Sequence, residues 1–125
     1  MPAKPTNLTA KQIIGQKAED AAAAMLQQQG LVLIERNFSC KTGELDLIFK
    51  DQETLVFVEV RFRKNQLFGG ALASVTPAKQ QKLQRAANFY LSRWQNQPAC
   101  RFDVVAMTLD TNQQLICENW IKNAF

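Results

Sequence analysis

A chain of 125 residues, 46% apolar and 21% charged, has the size and composition of one folded domain, which excludes two full domains and a disordered chain. Lys+Arg 15 against Asp+Glu 11 leaves a formal net charge of +4, a balance that suits an anionic partner. Histidine is absent and Cys40, Cys100 and Cys117 form no C-x-x-C pair, which removes Ser-His-Asp and Cys-His catalysis, His-ligated zinc and a disulfide frame, and leaves carboxylates, lysines or a bound hard cation as the available chemistry.

No run approaches the ~18 consecutive apolar residues of a membrane span, and Met1 to Asn7 is polar without the apolar segment of a signal peptide, so a cytoplasmic protein that does not enter the membrane is expected. Residues 1–8 read as a flexible tail ahead of a single domain over 9–125, with Thr9 as a helix N-cap. Ile14, Ala18, Ala21 and Met25 recur at helical spacing through Ala10 to Gln29, and Gly30 stands at the C-terminal cap. Leu31 to Ile34 is a short apolar run expected as a strand. Gly43 to Lys50 alternates, with Leu45, Leu47 and Phe49 on one face and Glu44, Asp46 and Ile48 on the other. Leu55 to Arg63 alternates too, with Glu59, Arg61 and Arg63 on the face of Leu55 and Phe57. The connection Asp51 to Thr54 is short enough only for an antiparallel hairpin. After a Gly69-Gly70 loop, Thr76-Pro77 predicts the start of a second helix reaching Trp94, with Leu83, Ala87, Tyr90 and Trp94 inward. Strands are expected at Arg101 to Leu109 and Leu115 to Ile121, with Asp110-Thr111-Asn112 turning between them.

The hairpin carries the chemistry. A symmetric turn faces Lys50 with Leu55, Asp46 with Glu59 and Glu44 with Arg61. Two carboxylates then lie ~4.5–5.5 Å apart at Cβ, a destabilising arrangement unless a cation sits between them. Arg61, Lys41 or a divalent metal with oxygen ligands are the candidates. The same spacing equally suits a solvent-facing sheet surface whose acids are neutralised by Arg61 and Arg63.

Gly43-Glu44-Leu45-Asp46-Leu47-Ile48 followed by Leu55-Val56-Phe57-Val58-Glu59-Val60-Arg61 resembles the PD-(D/E)-x-K nuclease motif. More closely, the chain from about Gly15 to Met107 resembles the uncharacterised YraN-like family of expected endonucleases. The likeness includes Gly15-x-x-Ala18-Glu19, Phe68-Gly69-Gly70, Val75-Thr76-Pro77-x-Lys79-Gln80 and Arg101-Phe102-Asp103-Val104-Val105. The resemblance implies a restriction-endonuclease-like α/β fold, also that of archaeal Holliday-junction resolvases: a mixed sheet of about five strands flanked by two main helices, in the order α-β-β-β-α-β-β. It implies Asp46 and Glu59 as ligands of Mg²⁺ or Mn²⁺, with Arg61, Glu44, Glu19 and Gln80 completing the site. Glu19 lies on the flank of the first helix, and Gln80 falls on the apolar side of the second.

One position departs from the motif: Arg61 stands where it has a lysine. Arginine stays protonated and can stabilise phosphate charge but cannot act as a base. Between Val60 and Phe102 there are eight basic residues and no acidic one. Arg63, Lys64, Lys79, Lys82, Arg85 and Arg93 are therefore expected to hold a nucleic-acid backbone, with Lys79, Lys82, Arg85 and Arg93 on the outer face of the second helix. Phe68 and Phe89 would stack on unpaired bases if exposed. The expected activity is metal-dependent hydrolysis of DNA phosphodiesters, with branched DNA as one candidate substrate. A resolvase would further need a homodimer to supply two sites, but no surface stripe marks the interface. The alternatives are a nucleic-acid-binding module of the same fold without catalysis, and a protein-interaction subunit whose acids meet Arg61 internally.

Overall fold

Thr9 opens the first helix by a reciprocal cap: its Oγ1 accepts the Gln12 N–H at 3.1 Å while the Gln12 side-chain oxygen accepts the Thr9 N–H at 2.9 Å. In the computed structural model, which describes residues 8–64 and 70–125, this helix is α1 (Ala10–Gln28). It is followed by β1 (Val32–Cys40), β2 (Gly43–Asp51), β3 (Thr54–Phe62), α2 (Gly70–Ala73), α3 (Pro77–Leu91), β4 (Cys100–Leu109) and β5 (Leu115–Ile121). The second cap also forms, with Thr76 Oγ1 accepting the Lys79 N–H at 3.2 Å and Pro77 in the first helical turn.

The main elements follow the expected order α-β-β-β-α-β-β, with differences at their edges. β1 extends to Cys40 rather than stopping at Ile34, so Cys40 belongs to a strand and not to a loop. Its middle, Glu35-Arg36-Asn37, is polar, and pairing with β2 rather than local hydrophobicity makes it a strand. Gly70 begins the short helix α2 inside the region read as a loop, while Phe68 and Gly69 lie outside the described residues. α3 ends at Leu91, three residues before Trp94, which is exposed instead of inward.

The five strands form one sheet in the order β1-β2-β3-β4-β5, antiparallel except for β3 beside β4. The connection through α2 and α3 supplies the crossover that a parallel pair requires. Central strand β3 is buried on both faces from Leu55 to Glu59. One face packs Leu47, Phe49, Val56, Val58, Val105 and Met107 against Ala18, Ala22 and Leu26 of α1. The other packs Phe38, Leu45, Ile48, Phe57 and Ala106 against Leu83, Ala87 and Tyr90 of α3. Phe49 and Phe57 are fully buried, each contributing about 1.5–3 kcal/mol of transfer free energy.

The expected alternation of β2 fails at one place. Leu45 packs on the α3 side and Leu47 on the α1 side, so the two do not share a face. Opposite this break, Asn37 of β1 adopts φ 53, a left-handed backbone that Asn tolerates. Phe38 and Leu45 thereby turn to α3, while Arg36 turns to α1 and pairs with Asp20. Asp46 sits at the turning point.

A buried polar cluster closes the β4–β5 end. Asp103, 0% exposed, accepts hydrogen bonds from Arg101 Nε at 3.0 Å, Arg101 Nη2 at 3.2 Å, Trp120 Nε1 at 2.9 Å and the Asn123 N–H at 3.0 Å. Arg101 Nη1 reaches on to Asp51 at 3.1 Å. Arg101 thus works in the fold, binding β4 to the hairpin, and is not a free phosphate contact.

Candidate functional site

Backbone pairing between β2 and β3 runs in the expected register from Asp51↔Thr54 to Leu47↔Val58 and stops there. Beyond that point β2 stays on β1 through Cys40↔Gly43, and β3 stays on β4 through Phe62↔Met107. The two strands splay, so Asp46 with Glu59 and Glu44 with Arg61 are not backbone-paired as expected. The Asp46 side chain takes over instead: its Oδ2 accepts the Val60 N–H at 2.9 Å, satisfying a donor that the lost ladder would have left open.

The splay opens a cleft of about 350 Å³ lined by Gly43, Glu44, Asp46, Glu59, Thr76, Lys79 and Lys82. Glu59 is 6% exposed, with Lys79 Nζ 3.0 Å and Arg61 Nη1 3.8 Å from its Oε1. Burial raises the Asp46 carboxyl above its ordinary range, opposed by the Val60 N–H, the Lys79 charge and a hydrogen bond with the Glu59 carboxyl. Burial, then the charge of Asp46, pushes Glu59 up to about 7 against the pull of Lys79 and Arg61. Glu19, reaching from α1, is likewise pushed up to about 7 by burial and then by Asp46, and feels Glu44 as well. Asp46, Glu59 and Glu19 thus hold their protons more tightly than free carboxyls do.

This donor set fits a hard dication that keeps most of its water. No group of three or more His, Cys, Asp or Glu side chains among the described residues gathers closely enough to enclose an ion. Mg²⁺ is ordinarily held by one or two carboxylates together with substrate phosphates, and Asp46 with Glu59 supplies such a pair. A cation there would offset the burial that raises both groups and the Asp46 charge that adds to it at Glu59.

The other expected site residues divide sharply. Glu44 lines the cleft and Glu19 approaches Asp46 from the opposite face of the sheet. Arg61 is drawn partly aside, its Nε donating to Ser74 Oγ at 3.1 Å, while Ser74 Oγ donates to the Ala71 carbonyl. Gln80 is not on the cleft wall: its Nε2 donates to the Val75 carbonyl at 3.0 Å, fastening the segment before α3. Among the basic residues, Lys79 and Lys82 enter the cleft, and Arg85 is exposed one turn further along α3. Arg93 is elsewhere, its guanidinium 4.9 Å from the Phe38 ring centre and 4.0 Å from Glu35, so it braces α3 against β1. Arg63 is tied to β4 by its N–H to the Met107 carbonyl and by its own carbonyl, which accepts from Thr108 Oγ1 at 2.7 Å. Lys64 borders a separate hollow with Ala10, Ile14 and Phe62, on the α1 side. Neither Arg63 nor Lys64 lies on the wall of the carboxylate cleft.

Lys79 stands elsewhere than its helical spacing predicts. Its spacing on α3 suggested an outer face, yet it stands at the edge of the buried face with its ammonium on Glu59. The signal for this was the Thr76-Pro77 cap, which fixes Lys79 as the third residue of the helix and points it at whatever strand end α3 starts beside.

The profile of the uncharacterised protein family UPF0102 matches residues 18–107, a span that contains every acid of the cleft and Lys79. A UPF0102 protein of Herminiimonas arsenicoxydans is 56% identical over 116 residues, covering 93% of this chain and 89% of the relative. One of Alcanivorax borkumensis is 52% identical over 120 residues, covering 94% of this chain and 95% of the relative. Another, of Cupriavidus metallidurans, is 51% identical over 126 residues, covering 100% and 88%. The expected YraN-like relationship and the match along the fold agree: the chain belongs to the uncharacterised protein family UPF0102.

Proposed function

We propose that this protein is a metal-dependent endonuclease, hydrolysing DNA phosphodiesters with Mg²⁺ or Mn²⁺ held by Asp46 and Glu59. The observation that carries this reading is the meeting of buried Glu59 and half-buried Asp46 across splayed strands, in an open cleft with Lys79 and Lys82 on its other wall. A pair so poor in donors is costly to a fold that gains nothing from it. When bound, the dication supplies Lewis acidity at a phosphate oxygen and acidifies an attacking water.

The chain's own residues do the rest. Val60 N–H fixes one Asp46 oxygen and thereby the rotation of the carboxylate. Lys79, from α3, brings a compact ammonium to the carboxylate that the nuclease motif serves with a lysine at the position of Arg61. In this reading Lys79 holds the scissile phosphate against Glu59, and Arg61, anchored by Ser74, adds positive charge behind it. Lys82 extends the positive wall toward the next phosphate. Glu19 and Glu44 keep the local field negative enough to favour a dication over the lysine alone.

The test is a cleavage screen of single-stranded, duplex, flap and four-way-junction DNA with Mg²⁺ and with Mn²⁺. Cleavage by the native chain, lost in Asp46→Asn and Glu59→Gln, is the expected result. No cleavage of any substrate by the native chain contradicts it. Arg61, at the motif's lysine position, favours a second reading in which the protein binds nucleic acid without cutting it. Appearance of cleavage only in Arg61→Lys would establish that reading.

A further inference from the structure

Phe89 is 55% exposed on α3, an unusual place for a large apolar ring on a helix whose other face is well buried. It borders a hollow of about 540 Å³ with Ser39, Cys40, Lys41 and Thr42, whose one charged lining residue is a cation. The ring is not loose: the Phe38 ring lies 6.2 Å from it, centre to centre, tilted by 35°.

Its position relative to the cleft gives the ring a meaning. At 100° per residue, Lys82 and Phe89 fall within about 20° of one another, two turns apart on one flank of α3. Seven residues of helix span about 10.5 Å, close to three base steps of a stacked strand at ~3.4 Å each. The turn after β1 follows the same flank. Gly43 presses on Lys82, where an added Cβ would stand 3.3 Å from the Lys82 carbonyl oxygen, and Cys40 to Thr42 flank Phe89. The carboxylate cleft, which Lys82 lines, and the Phe89 hollow, which Lys41 lines, are therefore neighbours along one flank of α3, and Arg85 is exposed between Lys82 and Phe89 in the chain.

We infer that Phe89 is a stacking platform for an unpaired nucleobase, seated about three nucleotides from the phosphate in the cleft, so that the preferred ligand is single-stranded or splayed nucleic acid. The exposed ring supplies the base platform, and Lys41, Lys82 and Arg85 hold the phosphates on either side. A purely apolar partner, such as a second copy or a hydrophobic peptide, would gain from Phe89 but would leave three cations to be desolvated without counter-charge. A blunt duplex keeps its bases stacked on one another and cannot use the ring. This inference rests on the nucleic-acid reading of the cleft but needs no metal and no cleavage.

The experiment is fluorescence anisotropy in EDTA at low salt, with a labelled thymidine oligomer of ~12 nucleotides and a blunt duplex of equal length. Phe89→Ala should weaken oligomer binding about tenfold and leave duplex binding within about twofold. Phe89→Trp should bind the oligomer as the native chain does, and the added indole should be quenched on binding. Unchanged oligomer affinity in Phe89→Ala, or equal loss for both ligands, overturns the platform and leaves the carboxylate reading standing. A native chain that binds neither ligand overturns both readings together. A homodimer that Phe89→Ala dissociates, measured by sedimentation, overturns the platform by showing that a second copy covers the ring.

Discussion

Two buried carboxylate clusters sit in this one sheet, and they are built on opposite terms. Asp103 receives four hydrogen bonds, three of them from the side chains of Arg101 and Trp120, and its charge is met by a guanidinium that also reaches Asp51. Glu59, nearly as buried, and half-buried Asp46 have one backbone N–H, one lysine, a distant arginine and a hydrogen bond to each other, and the charge of Asp46 works against that of Glu59. Burial is common to both, so burial does not mark function. The deficit of donors does. A satisfied buried carboxylate is part of the scaffold, whereas an unsatisfied pair facing a cleft holds free energy that only a ligand can recover.

The largest expected effect separates the two clusters by stability. Asp103→Asn leaves Arg101 and Trp120 without their full partner and should destabilise the fold by about 3–5 kcal/mol in urea unfolding. Asp46→Asn keeps an acceptor for Val60 and removes one of two repelling charges. In EDTA at pH 8 it should raise unfolding free energy by about 1 kcal/mol, while cutting metal-dependent cleavage about a hundredfold or more. A large loss of stability in both variants would erase the distinction.

The second expectation concerns pH. Glu59 and Glu19 bind protons more tightly folded than unfolded, because their pKa values rise from 4.5 to about 7. Their contribution to stability is complete below about 4.5 and is lost as pH rises through about 7. Unfolding midpoints in EDTA should therefore fall across that window, and Mn²⁺ should restore more stability at pH 8 than at pH 5. The Asp46→Asn variant should show a shallower slope. A metal-free midpoint that rises from pH 5 to pH 8 would contradict the assignment.

Smaller effects sharpen the boundary of the site. Gly43 has φ +151 and meets the Lys82 backbone, so Gly43→Ala should cost about 1–2 kcal/mol and displace the cleft wall, weakening DNA binding as well. Arg93→Ala should cost about 0.5–1 kcal/mol through lost stacking on Phe38 and Tyr90, with DNA affinity unchanged. An equal loss of DNA affinity in Arg93→Ala and in Lys82→Ala would put the whole of α3 back into the interface.

Much of the scaffold was legible because it is local. Thr9 and Thr76 cap as their spacing predicts, and the hairpin register follows from a turn of fixed length between Asp51 and Thr54. The nearness of Asp46 and Glu59 was legible for the same reason, both standing on one hairpin, but the loss of their backbone pairing was not. What escaped depends on long-range packing. The inversion of Leu45 follows from the left-handed Asn37 on a neighbouring strand, which alternation within β2 does not reveal. The place of Lys79 follows from how α3 docks on β3, and the exposure of Phe89 from a hollow walled by a strand end about fifty residues earlier in the chain. Gln80 on α3 and Arg93 just beyond its end had the right residue type, but each found a nearer partner in Val75 and in Phe38 with Glu35.

The most direct measurement of the central claim is a calorimetric titration of Mn²⁺ into the native chain and into Asp46→Asn at pH 8. The donor-poor pair predicts one saturable site in the native chain that the substitution removes. Negligible heat in both proteins, or equal binding by both, would mean that Asp46 and Glu59 answer to Lys79 alone and that no cation completes them.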